Sequence, residues 1–115
     1  MPNTFYATVS TAGTSTVWIA DHRINPFNAN VQVYVPGGTT VSYEVDFTLD
    51  SLNPPPDIIA PPVEWTPLVT FPAGSTSTTT ALVNASVYAL RLNVASISGG
   101  PVYFKVMQPD FIATP

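Results

Sequence analysis

The fold class this chain predicts is all-β: an antiparallel β-sandwich or jelly roll of seven to eight short strands with a proline-rich loop. Three observations carry that expectation. The segment Val41 to Asp50 alternates without a fault, with Val41, Tyr43, Val45, Phe47 and Leu49 on one face and Ser42, Glu44, Asp46, Thr48 and Asp50 on the other. Other runs rich in β-branched and aromatic residues recur between Gly and Pro clusters, the rhythm of pleated strands joined by turns. Thirteen prolines spread along 115 residues leave no room for a helix of ordinary length, because each ring fixes φ and removes a backbone donor.

Taken in order, strands are expected at Phe5 to Ser10, Thr16 to Ala20 and Val31 to Val35, then over the long Val41 to Asp50 segment. Pro36-Gly37-Gly38-Thr39 between the last two reads as a hairpin turn. Trp65 to Phe71 is a further strand, and the Thr76 to Thr80 tract is either a solvated turn or the start of a polar strand. Val87 to Ile97 and Val102 to Gln108 flank Ser98-Gly99-Gly100-Pro101, where two glycines take positive φ without penalty, so an antiparallel hairpin is expected there. One domain, residues 1–115, accommodates all of this, and the pattern leaves sandwich and jelly roll equally open.

Two segments break the rhythm. Ser51 to Pro62 holds five prolines, including Pro54, Pro55 and Pro56, and favours an extended polyproline conformation. Ile58 and Ile59 at its middle need cover, either from the chain's own sandwich or from a neighbouring subunit on which the segment lies as an arm. The tail Pro109 to Pro115 places Phe111 and Ile112 between prolines, where they either fray or fill a pocket.

Composition narrows the function. Only ten residues are charged, against about 29 if a quarter of the chain were Asp, Glu, Lys or Arg, while Thr and Ser supply 24. Such a surface is cheap to desolvate, because unpaired charges are costly to bury at a contact and hydroxyls, Tyr and Pro much less so. A protein that lives in contact with other proteins is the first inference. The net charge of −4, with Arg23, Arg91 and Lys105 the only cations, removes the footprint a nucleic-acid binder needs. Zero cysteines exclude disulfides and thiolate metal sites. No run of 18 apolar residues occurs and Met1 to Phe5 lacks the basic and apolar regions of a signal peptide, so a soluble chain starting at its own initiator, with no membrane partner, is expected. The sequon Asn84-Ala-Ser86 is discounted for the same reason.

The search for chemistry returns little. His22, the single histidine, has no nucleophile context around it and reads as structural. Glu44 and Asp46 lie on one strand face about 7 Å apart, a separation compatible with acid/base work on sugars, but they read as the solubilising face of an amphipathic strand. Asp50 and Asp57 lack calcium-loop spacing, and no phosphate-cradling glycine loop exists. No enzyme activity and no cofactor are expected. Trp18, Trp65, Tyr34 and Tyr103 are candidates for a sugar-stacking platform, ranked below burial at a subunit contact because aromatics are enriched in such contacts. Alternation turns Trp18 away from Val17 and Ile19, and Tyr103 away from Val102, Phe104 and Val106. The expected contact residues are therefore Trp18, Arg23, Pro54, Pro55, Pro56, Ile58, Ile59, Trp65, Arg91, Phe111 and Ile112.

The succession Val17-Trp-Ile-Ala-Asp21, Asn25-Pro-Phe-Asn28, the strand Val41 to Asp50, Ala89-Leu-Arg-Leu-Asn-Val94 and Val102-Tyr-Phe-Lys-Val-Met-Gln108 resembles small virion structural proteins of tailed bacteriophages. The resemblance covers most of the chain except Ser51 to Pro62, which is longer than the loop expected at that place. It implies a β-rich capsid accessory protein of the cement or decoration type, assembled in the host cytoplasm into the virion. The implied partners are the major capsid protein and further copies of this chain, with a homotrimer favoured. Alternative expectations are a neck or tail component, or a module that binds a glycan or host surface.

Overall fold

The structure, a computed structural model, describes residues 3–20, 28–49, 63–83 and 87–108. Among them are nine strands: β1 (Asn3–Val9), β2 (Gly13–Thr14), β3 (Trp18–Ile19), β4 (Ala29–Tyr34), β5 (Thr40–Thr48), β6 (Thr66–Pro67), β7 (Thr79–Val83), β8 (Ala89–Ser98) and β9 (Val102–Gln108). They form two antiparallel sheets, β1-β9-β4-β7 and β2-β8-β5-β6, with β3 also on β8.

The pairing follows one simple rule. The first half of the chain lies antiparallel along the second half: β1 on β9, β2 and β3 on β8, β4 on β7, and β5 on β6. That is a single long ribbon whose bend falls between β5 and β6. Rolling the ribbon up brings β9 beside β4 and β8 beside β5, which completes the sheets. Counting β2 and β3 as one interrupted strand gives eight strands in the order of a jelly roll. Of the two architectures left open by the sequence, this topology selects the second.

The two glycine turns have to be corrected. Neither is a hairpin, because β4 and β5 lie in different sheets, as do β8 and β9. Both turns instead carry the chain from one sheet to the other. Positive φ at Gly38, Gly99 and Gly100 reverses the chain as expected, but ladder partners come from the opposite half of the ribbon. The two crossings pack on each other, with Thr39 Oγ1 donating to the Pro101 carbonyl at 3.3 Å.

The core lies between the sheets. Val31 and Val33 of β4 and Val102, Phe104 and Val106 of β9 face Val41, Tyr43 and Val45 of β5 and Leu90, Leu92 and Val94 of β8, all buried. Burial of each such side chain contributes about 1.5–3 kcal/mol. Phe5 meets Phe104 edge to face, ring centroids 6.0 Å apart. Ser42 pairs with Ser96 and Tyr43 with Val94, which leaves Ala95 as a bulge residue. The extra residue shifts the phase of β8, so that Ile97 packs against the core although its distance from Val94 is odd.

Three further expectations change. Trp65 to Phe71 contributes only Thr66–Pro67 to the ladder. The chain then turns along the outer edge of β5, Leu68 N–H donating to Val45 O at 2.8 Å, Val45 N–H to Phe71 O at 3.3 Å, and Tyr43 and Ser75 exchanging two bonds at 2.9 and 3.0 Å. Phe71 is fully buried beneath this turn. The segment Thr16 to Ala20 holds only the two residues of β3. In β5 the alternation fails at its end, where Phe47 is half-buried, Leu49 is 69% exposed, and Asp46 and Thr48 are buried. The Thr/Ser tract does lead into a strand, β7, which is polar only at its first two residues, Thr79 and Thr80.

Candidate functional site

Two outer surfaces hold the residues that chemistry can use. On the five-stranded sheet, register places Asp46 of β5 opposite Arg91 of β8, and β6 brings in the preceding residue, Trp65. Arg91 Nε lies 3.3 Å from Asp46 Oδ2, and its guanidinium carbon sits 4.3 Å from the centre of the Trp65 ring. The cation is thus held between a carboxylate and an aromatic face. Asp46 is 2% exposed, so the solubilising role expected of it is overturned: a carboxyl group this deep needs a partner, and Arg91 supplies it.

Glu44, two residues along the same face, completes the group. Its carboxyl is pushed up to about 7, first by a hydrogen bond to Asp46, then by partial burial and by the Asp46 charge, with Arg91 opposing. Asp46 Oδ1 is buried without a hydrogen-bond partner. A proton on Glu44 supplies a donor for the Asp46 carboxylate, which is the physical cause of the shift. The folded state therefore holds this proton more tightly than the unfolded chain, whose Glu titrates near 4.5. The associated stability is full below pH 4.5 and is lost as pH rises through about 7. Thermal unfolding should show it: between acid and mildly alkaline buffer the wild-type Tm is expected to fall further than that of Glu44→Gln, by about 3–6 °C. Parallel pH profiles would remove the shared proton from this account.

On the four-stranded sheet the outward residues form three cross-strand rows. These are Thr4, Met107, Asn30 and Leu82; Tyr6, Lys105, Gln32 and Thr80; and Thr8, Tyr103 and Tyr34. Lys105 is the one charge among these eleven residues. Tyr6 is 72% exposed, Leu82 53%, Met107 42% and Tyr34 41%. Tyr34 and Tyr103 stack with centroids 6.0 Å apart at 23°, Lys105 Nζ sits 5.3 Å from the Tyr34 ring centre, and Gln32 Nε2 donates to Thr80 Oγ1 at 3.1 Å. A shallow depression runs between Tyr6, Asn30, Gln32, Lys105 and Met107. The side chains are thus tied to one another, and the face offers hydroxyls, rings and apolar ends with little charge to desolvate.

The sequence candidates distribute unevenly over these surfaces. Trp65 and Arg91 come together, but their contact is with each other, and Arg91 already spends its Nε on Asp46. Trp18 is corrected: it is 2% exposed, packed in the core, while its neighbour Ile19 is 47% exposed, so the inward and outward positions of that segment are the reverse of the expectation. Its ring has no open face for a sugar or a partner. Arg23, Pro54, Pro55, Pro56, Ile58, Ile59, Phe111 and Ile112 lie outside the described residues, as do His22, Asp50 and Asp57. The tyrosine pair holds two of the four platform aromatics, Trp65 being on the other sheet.

Sequence reasoning missed Tyr6, Gln32, Leu82 and Met107. Alternation alone marks each as outward within its strand. What alternation lacks is the register that sets residues far apart in the chain side by side, such as Gln32 with Thr80 and Tyr6 with Lys105. Among the described residues no group of three His, Cys, Asp or Glu side chains is placed to hold a metal ion. Comparison with protein-family models, with curated proteins and with solved structures finds no match to this chain.

Proposed function

We propose that this chain is a non-enzymatic structural protein of a bacteriophage virion, a decoration or cement protein that binds the outside of the head shell. The observation that carries the reading is the outer face of the four-stranded sheet, three rows deep with a single cation. Such a face meets another protein with little desolvation of charge, and its exposed tyrosines and apolar ends supply the contact energy. The jelly roll adds support by analogy, since the architecture recurs in viral capsid proteins, although a fold by itself assigns no function. The charge-poor composition and the resemblance to small phage virion proteins point the same way.

The mechanism is mass action. A protein that binds the assembled lattice and not its free subunits stabilises the lattice by its binding free energy, and several contacts per oligomer multiply the gain. The partner is the major capsid protein. Co-sedimentation with phage heads depleted of this chain tests the face. Leu82→Glu combined with Gln32→Glu is expected to weaken binding about tenfold or more, by placing unpaired carboxylates in the contact. Binding equal to wild type would show that the shell is engaged elsewhere.

The stacked, outward Tyr34 and Tyr103 favour one second reading, a module for a glycan or host surface, because a pair of ring faces suits the apolar side of a sugar. Binding to a glycan array that is lost in Tyr34→Ala would select it over the shell.

A further inference from the structure

The two sheets end differently at their edges. The five-stranded sheet ends on one side at Thr66–Pro67 and on the other at the two-residue β2 and β3, and short strands and a proline are the usual means of blunting an edge. The four-stranded sheet ends at β1, seven residues from Asn3 to Val9, and at β7, five residues from Thr79 to Val83; neither has a charge or a proline, and β1 is the longer edge. Among the described residues β1 pairs only with β9. No described residue pairs with its other edge, and the strand itself carries no charge or proline to discourage strand addition.

We propose that β1 is a self-association edge, at which a second copy of this chain adds its own β1 antiparallel about a two-fold axis centred on Tyr6. The sheet then runs continuously through eight strands. The composition of β1 selects a second copy as the occupant. About Tyr6 the strand is balanced in kind: Thr4 and Thr8 are exposed on the outer face, and Phe5 and Ala7 are half-buried on the inner one. The two-fold sets Tyr6 opposite Tyr6, Thr4 opposite Thr8 and Phe5 opposite Ala7. Tyr6 and the two threonines meet their own kind, Phe5 packs on the smaller Ala7, Asn3 falls opposite Val9 at the ends, and no charges repel across the seam. Phe5 and Ala7 already touch the core yet keep exposed surface, and an added strand extends the core over them. At the outer face the two copies join their rows at Tyr6, which doubles the width of the charge-poor surface.

This assembly stands independently of the shell-binding reading, and it is two-fold where the phage resemblance implies three-fold. Sedimentation velocity of the purified chain at micromolar concentration is expected to give a dimer. Tyr6→Lys is expected to weaken the dimer at least about tenfold, by setting two cations opposite each other, while the monomer keeps the wild-type circular dichroism spectrum because Tyr6 is 72% exposed. The cysteine-free sequence allows a direct test of the axis. Under mild oxidation Tyr6→Cys should cross-link to a dimer on a non-reducing gel, while Leu82→Cys, on the far edge strand, should not. A wild-type monomer, a trimer, or equal cross-linking of the two variants would overturn the proposal.

Discussion

Arg91→Met is expected to destabilise the chain by about 3 kcal/mol, the largest single effect on the outer side of the five-stranded sheet. The substitution keeps much of the side chain's length and apolar bulk, so packing on Trp65 survives in part and the loss is mainly electrostatic. Asp46, with its side chain 3% exposed, is left as a buried carboxylate without its cation. Denaturant unfolding at neutral pH measures the loss as a lower midpoint with an unchanged slope. Adding Asp46→Leu to the same chain is expected to recover most of the stability, because removing both charges leaves nothing unpaired. A loss below about 1 kcal/mol for Arg91→Met would mean that the pair behaves as an ordinary surface contact.

Gly99→Ala is the second large effect, expected at about 2–3 kcal/mol. The residue has φ of +86°, which side-chain-bearing residues adopt at a cost, and a Cβ there would overlap the carbonyl oxygen of Gly38 in the neighbouring crossing. Both terms act on the place where the two sheet-to-sheet crossings pack together. Gly37→Ala is the matched control: a Cβ at Gly37 meets nothing within 4 Å, and its change should stay within about 0.5 kcal/mol. Equal stability of the two variants would contradict the packing of the crossings.

The strands themselves were legible in the sequence because side-chain period 2 is a local property. Val102 to Gln108 matches β9, and Val41, Tyr43 and Val45 sit in the core that their alternation implies. Strand partners were not legible. Pro36 to Thr39 and Ser98 to Pro101 carry strong reversal signals, yet a reversal reads the same whether the chain returns within one sheet or crosses to the other. Pairing in a rolled ribbon is settled by contacts between distant segments, such as Asn3 with Gln108, which no local window contains. The β5 face shows the same limit. Asp46 belongs to the polar set by pattern, and only the register that places Arg91 beside it, with Trp65 above, makes it a buried charge. Trp18 misled because a two-residue strand is too short for alternation to fix which way it faces. The outer tyrosine surface was half visible: Tyr34 and Tyr103 were marked as candidates, but their stacking required β4 to lie beside β9.

The measurement that bears most directly on the proposed function is the copy number of this chain in purified phage particles, from quantified gel bands against the main shell protein. The decoration reading predicts a near-stoichiometric ratio, or a fixed fraction of it set by the lattice. A handful of copies per particle would move the chain to the neck or tail, and complete absence would contradict the virion reading altogether.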